Sequence, residues 1–471
     1  MASEIDQIFM ADQKSKWIGF SYHPGSFYKQ IEVNMLENKE IKSTYYEVYP
    51  ESFVDSNKDG IGDLEGLRSK LTIISQLGAN YLLINKIFEE REDETTDFYK
   101  IKKSIGEKSD LENLINKAKE LRLKVILDID SEDLEKTFAE NLKDELKKVL
   151  KYWLEFGIRG IRLKKIERLG NSNEELKEIK NLTDDLGLML IGEFENLEKI
   201  EEGLVDLVYI SKASRLIKEK NSYKDFYELI DDVQNISGKI PCGMDFDNLD
   251  GGRLIEKNLA HDEEARPLSE AMATLLFSLK SIPFIYQGTE VEAKSEYFVD
   301  MDKISDEEIK AIYNSYLEEG NDREEAFNKI KRETNFSSKI PLRWDGSILG
   351  RFSEVENYYG SLVHTDNNYK EYLKHSDSFF YFLYETIMLR KRKSAFGLGQ
   401  YEKLFIDEAV YAYKRTYKDE VYVVLVNLTD DFYEINEKIT EIIKDGQVIQ
   451  NNNPDYDPEI LDAYQSVIIE I

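Results

Sequence analysis

Cysteine is nearly absent. Cys242 stands alone in 471 residues, so no internal disulfide can form and nothing ties the fold to an oxidising compartment. A buried thiol is the ordinary role for such a residue. Long apolar runs are missing as well: no stretch approaches the roughly 18 residues of a membrane span, and Met1 to Asp6 carries neither the basic nor the apolar region of a secretory signal. A soluble, cytoplasmic protein with no membrane partner is the expectation. There is no linker rich in Pro, Gly or Ser, no low-complexity tract and no short internal repeat. What is abundant is negative charge, with 93 acidic against 63 basic residues and a net charge of −30. Such a surface repels nucleic acid and anionic lipid, which excludes both as partners. The acidity itself speaks to solubility rather than to fold.

The length admits an α/β barrel of about 250 residues or more with an accessory domain. From Thr44 the pattern becomes regular. Strand-like segments are read at Thr44 to Tyr49, Tyr81 to Ile84, Lys124 to Ile129, Gly160 to Leu163, Leu188 to Gly192, Leu207 to Ile210, Ile240 to Met244 and Ile282 to Tyr286. Helical spacing separates most of them: Leu64 to Leu77, Asp110 to Leu121, Asp144 to Phe156, Glu174 to Asp185, Lys224 to Val233 and Leu268 to Leu279. Eight strands alternating with helices predict a closed (β/α)8 barrel, although an open doubly wound sheet has the same alternation.

Before the barrel, residues 1–43 are read as an N-terminal extension whose aromatic stretch Trp17 to His23 is expected to pack an extra strand or two outside the main domain. The barrel spans 44–397 with a long insertion at about 288–376. Within it, helices are read at Ser305 to Glu319 and Asp322 to Arg332, and Phe379 to Lys393 is the closing helix. From Leu398 the period shifts to two, which predicts a β-sandwich over 398–471.

Asp55-Ser56-Asn57-Lys58-Asp59-Gly60-Ile61-Gly62-Asp63 sets oxygen donors at alternate positions around a glycine turn. A hard cation needs six to eight oxygens. Asp55, Asn57, Asp59, the Ile61 carbonyl and Asp63 supply such a set, so a structural Ca2+ is expected here. The twelfth position is Gly66, so this is no EF-hand. The same residues also read as an acidic turn capping the helix at Leu64 through its dipole.

With Tyr49-Pro50-Glu51-Ser52-Phe53 before it, this loop resembles the first barrel strand and metal loop of the oligo-1,6-glucosidase and α-glucosidase branch of the α-amylase family of glycoside hydrolases. Further segments fall in family order: Leu121 to Asp128, Trp153 to Ile166, Gly192-Glu193, Asn248-Leu249-Asp250, Pro283 to Gly288 and Pro341 to Asp345. In that family a retaining mechanism needs two carboxyl groups about 5 Å apart, one nucleophile and one acid/base. The resemblance places Glu193 at the acid/base position and Asp250 at a third, sugar-gripping carboxylate. Asp128 and Arg162 hold the site's geometry, Arg253 follows Asp250 as in active members, and Asp97 belongs to the substrate-binding set.

Lys164, however, occupies the nucleophile's position, and a lysine cannot form a glycosyl ester. Leu249 replaces a sugar-binding His, Thr96 a stacking Tyr, and Glu132-Asp133 an Asn-His pair; none of the four histidines lies near a site motif. Active relatives also insert a domain after the third strand, whereas here only about twenty residues separate Asp130 from Trp153. The same losses mark the non-catalytic heavy-chain subunits of amino-acid transporters, which carry a membrane span not found here.

An ammonium between Glu193 and Asp250 should pair with one or both and lower their pKa values, removing the protonated acid that catalysis requires. The alternative is a lysine turned to solvent. The favoured reading is thus a carbohydrate-binding or scaffold protein on a glycosidase barrel, impaired in retaining hydrolysis. Two others stay open. One is an enzyme using Glu193 and Asp250 around a water, or acting on an anionic or phosphorylated sugar that Lys164 helps hold. The other is a protein-interaction subunit with a protein partner.

Overall fold

The computed structural model describes residues 40–471 apart from 170–171, 217–222, 259–264, 296–300, 302–303, 305 and 356–366. The strands expected around Trp17 to His23 lie outside these residues. Eight parallel strands close into a barrel: β1 (Tyr45–Val48), β2 (Tyr81–Ile84), β3 (Lys124–Asp130), β4 (Gly160–Lys164), β5 (Met189–Glu193), β6 (Leu207–Ile210), β7 (Cys242–Met244) and β8 (Ile282–Tyr286). β8 pairs back onto β1, with Phe284 opposite Tyr45. That closure decides between the barrel and the open sheet.

The strands are buried on both faces, and their period of two sorts the side chains. Tyr46, Val48, Leu127, Ile161, Leu163 and Leu190 point outward into the layer shared with the helices. Tyr45, Tyr81, Ile126, Ile191, Tyr209 and Phe284 fill the barrel interior. Tyr45 stacks on Tyr81 at 4.3 Å and on Phe284 at 4.5 Å between ring centroids. This aromatic plug is a packed floor rather than a pore. Moving two residues along each strand from the floor gives Glu47 on β1, Asp128 on β3 and Glu193 on β5, while β4 presents Arg162 and then Lys164. The alternation that buries the floor therefore also brings the charged residues to the barrel's C-terminal mouth.

Between β2 and β3 a hairpin (Phe88–Glu90 with Thr96–Ile101) lies at that mouth. β3 then runs directly into a helix, α1 (Ser131–Phe138), because its last residue, Asp130, is also the helix N-cap and accepts from the Glu132 N–H at 2.9 Å. The sequence reading did not include α1, whose single turn pair has too few apolar positions to show a period. The helix expected from Asp144 starts earlier, as α2 (Leu142–Glu155). Together the two helices fill the interval in which no inserted domain was expected, and none is present.

The insertion carries helices at Glu307–Glu318 and Arg323–Glu333 around a small core of its own, including Ile309, Phe327 and Ile330. At the C-terminus, β9 (Gln400–Ile406), β10 (Val410–Tyr417), β11 (Glu420–Asn427), β12 (Gln447–Asn451) and β13 (Ser466–Glu470) form an antiparallel sheet in the order β9-β10-β11-β13-β12. Its outer apolar face is covered by a helix (Glu437–Ile443) and a two-stranded sheet rather than by a second full sheet. Arg390 of the closing helix, fully buried, donates to the carbonyls of Phe277 and Ser281 at 3.0 and 2.9 Å. Beside it Arg415 on β10, also fully buried, joins this domain to the barrel by donating to the Ser278 carbonyl at 2.9 Å at a helix C-terminus. With carbonyls rather than carboxylates opposite them, burial pulls the two guanidinium pKa values down, to about 9 and about 10.

The loop carrying Asp55 to Asp63 packs backbone on backbone. A Cβ on Gly66 would sit 2.1 Å from the Val54 carbonyl oxygen. Gly66→Ala is expected to cost about 2 to 3 kcal/mol through forced displacement of that strand of chain. Gly187→Ala, where φ is +64° but nothing lies within 4 Å, should cost only about 1 kcal/mol for its left-handed backbone. Urea unfolding of the two variants checks the contrast, and equal losses would deny the close packing.

Candidate functional site

At the barrel centre Arg162, 1 % exposed, is fixed on three sides. Its Nε donates to Asp128 at 2.6 Å, and its two terminal nitrogens donate to Glu47 at 2.9 and 3.0 Å and to Asn85 at 2.9 Å. Asn85 in turn donates to Glu47 at 2.8 Å, and the guanidinium lies over the Tyr209 ring at 4.7 Å. Bidentate, fully bonded pairs of this kind can hold a charge away from water. Burial opposes the charge, but Asp128 and Glu47 more than offset it and hold the Arg162 pKa well above its usual value. Tyr209 donates to Asp245, whose own pKa is raised by burial and by Glu47.

Two residues further along β4, Lys164 is also buried and donates to Asp250. Burial works against its charge, but Asp250, Asp128 and Glu193 hold its pKa above that of a free lysine. Asp250 shows the reciprocal effect. Although burial raises its pKa, Lys164 lowers it further, to about 2. Glu193 behaves differently: it accepts from Ser211, and burial raises its pKa despite Lys164 and Arg162. The expectation that the ammonium lowers both acids is therefore met at Asp250 and corrected at Glu193, where desolvation outweighs the attraction of a cation that is bonded elsewhere. The reading of Lys164 as turned to solvent is excluded.

The other candidates are placed apart from this pair. Asp97 sits in the hairpin with Arg91 at 3.4 Å and Lys100 at 3.5 Å, and it is Thr96 that lines the recess beside Lys164. Arg253 is buried over Tyr286 and donates to the carbonyls of Ser337 and Gln287, each at 3.0 Å. Leu249 packs with Tyr49 and Tyr286. Glu132 pairs outward with Arg168 at 3.3 Å, whereas Asp133 faces the recess.

In the Asp55 loop the donors are oxygens of the right kind for a hard cation, and they meet the loop's own N–H groups. Asp55 accepts from Lys58 at 2.6 Å and Gly60 at 2.8 Å, Asn57 from Asp59 at 3.0 Å, Asp59 from Ile61 at 2.9 Å, and Asp63 from Ser56 at 2.7 Å and Gly66 at 2.7 Å. Among the described residues no three Asp, Glu, His or Cys side chains converge as a metal-binding group.

Sequence reasoning missed Glu47, Asn85, Ser211 and Lys86. For Glu47 a signal existed: it is the one charge in Tyr45–Val48, at the inward parity set by Tyr45. Ser211 and Lys86 carry no comparable signal, since both lie just past strand ends where polar residues are common.

Residues 47–132 and 199–399, more than half of the chain, match the family described as alpha amylase, catalytic domain. The chain belongs to the α-amylase family. The interval between the matched segments contains both Lys164 and Glu193. Curated relatives include a glucan 1,6-alpha-glucosidase of Streptococcus pneumoniae, 24% identical with 82% of this chain and 90% of that protein covered. An oligo-1,6-glucosidase of Bacillus cereus is 22% identical over 85% and 93% of the two chains. Among solved structures, Bacillus licheniformis trehalose-6-phosphate hydrolase superposes with a TM-score of 0.80 at 19% identity, covering 91% of this chain and 99% of that one. A trehalulose synthase gives 0.78 at 18%, covering 92% and 100%. At those identities the solved structures speak to the fold of this α-amylase-family chain.

The ion pair has a pH signature. A carboxylate with a depressed folded pKa stabilises above its unfolded value, about 3.9, and that contribution is lost as pH falls through the folded value. Lys164→Met should thus cost about 1 to 3 kcal/mol at pH 7, discounted from a fully buried pair because Asp250 is 32% exposed. The difference from wild type should shrink as Asp250 protonates, toward pH 2. Glu193→Gln has the opposite sign. A raised carboxyl pKa favours the fold below the unfolded value and loses that advantage as pH rises, so the Gln variant should be more stable than wild type at pH 7 and equal to it near pH 4. Thermal midpoints across pH check both, and a pH-independent Lys164→Met effect would mean that packing, not charge, holds the lysine.

Proposed function

We propose that this α-amylase-family barrel binds a carbohydrate at its C-terminal mouth without hydrolysing it by the family's retaining route. The observation that carries this reading is the Lys164 ammonium bonded to Asp250, at the position where the resemblance calls for a nucleophilic carboxylate. An ammonium held above its ordinary pKa has no lone pair to offer, and the carboxylate meant to grip the sugar already has a partner. The short connection after β3 and the loss of aromatic and histidine contacts leave fewer groups to position a sugar ring, and positioning supplies much of an enzyme's barrier reduction. Nitrophenyl α-glucoside turnover is expected to be undetectable in wild type and not restored by Lys164→Asp. Robust wild-type hydrolysis that disappears in Glu193→Gln would replace this reading.

One observation favours the alternative of a residual enzyme: Glu193 keeps the raised pKa that a general acid needs. An activity of that kind, on an anionic or phosphorylated sugar, would survive Lys164→Met only if the lysine were not a substrate contact. A screen of 6-phosphorylated nitrophenyl glycosides separates the two.

For the Asp55 loop we propose Ca2+ held by Asp55, Asn57, Asp59, the Ile61 carbonyl and Asp63. The oxygen chemistry of the donors supports it; binding would require them to turn from the loop N–H groups they now accept toward a common centre, and the metal would add stability by binding only the folded loop. Chelator should lower the thermal midpoint by several degrees. An unchanged midpoint in protein loaded with Ca2+ beforehand would leave the loop as a turn closed by its own hydrogen bonds.

A further inference from the structure

A recess of about 180 Å³ opens beside Lys164, lined among others by Lys86, Glu90, Thr96, Lys102, Asp128, Asp130 and Asp133. Most of its charges are already spent. Lys164 is bonded to Asp250 and Asp128 to Arg162. Lys102 lies 3.0 Å from Glu51 and 3.9 Å from Glu90, and Asp130 caps α1. What is left is one cation and one anion. Among the described residues, neither the Lys86 ammonium nor the Asp133 carboxylate has an ion pair or hydrogen bond, although the charge of Lys86 acts on Asp133 and that of Asp250 on Lys86.

Lys86 is exposed to the recess and Asp133 partly so, and both feel its partial enclosure: desolvation and then Lys164 lower the Lys86 pKa, while desolvation and then Asp130 raise that of Asp133. Lys86 also sits just past β2 with φ +50°, a conformation an L-residue holds only when its surroundings impose it, and such residues concentrate at binding sites. Resting on the sugar-binding reading above, we infer that the recess takes a dipolar sugar, its anionic group on Lys86 and its ammonium on Asp133. Charge-assisted bonds to two groups that have no direct partner among the described residues give the selectivity.

The test is calorimetric titration, at fixed ionic strength, of four probes that differ only in charge: glucosamine 6-phosphate, glucose 6-phosphate, glucosamine and glucose. Each is titrated into wild type, Lys86→Gln and Asp133→Asn. Glucosamine 6-phosphate should bind wild type at least about tenfold more tightly than either singly charged sugar. Lys86→Gln should abolish the advantage due to phosphate and leave that due to the amine; Asp133→Asn should do the reverse. Equal binding of all four sugars, or preferences that neither substitution changes, would overturn the dipolar assignment while leaving sugar binding intact. Binding by none of the four would remove the sugar reading and this inference together.

Discussion

The barrel mouth depends on how one buried guanidinium is satisfied. Arg162 can stay charged at the centre of the barrel only because Glu47, Asp128 and Asn85 come to it from three neighbouring strands. They do so because the inward parity that places Tyr45, Leu83 and Ile126 in the floor continues upward to them. Removing one partner would strand a buried charge, a loss of several kcal/mol. The network therefore fixes the strand register at the level where any ligand must rest.

Lys164 stands one inward position above this network, and its sign matters more than its size. An ammonium in place of a carboxylate changes the local charge by two units. Near Asp250 and Glu193, a further carboxylate would push both toward protonation, whereas the ammonium favours their ionised forms. The response is uneven because Lys164 donates to Asp250 alone, while Glu193 has Ser211 and an otherwise desolvated place. An acid with a raised pKa thus lies beside an ion pair.

How much of this was legible beforehand follows from the range of each interaction. The barrel was readable because its eight strands alternate with helices in the chain itself. Lys164 was noticed because a neighbouring motif fixes its position. Its choice of Asp250 over Glu193 was not legible, since that depends on side chains 86 residues apart in sequence and on how deeply each carboxyl is buried. Nor was the local role of Asp97, whose partners Arg91 and Lys100 become neighbours only once the hairpin forms.

The short passage after β3 explains why acids border the recess at all. Because Asp130 ends the strand and begins α1, the first turn of that helix serves as the wall that a longer insertion would supply. A helix start favours acidic side chains on its own account, through the cap and through the dipole. Asp130 meets that demand by accepting an N–H, and Glu132 turns outward to Arg168. Asp133 belongs to the same turn, and the dipole stabilises its charge without supplying it a hydrogen-bond partner. It is the one acid of the three that faces the recess and has neither capping bond nor ion pair, so helix rules account for its presence there but not for its lack of a direct partner.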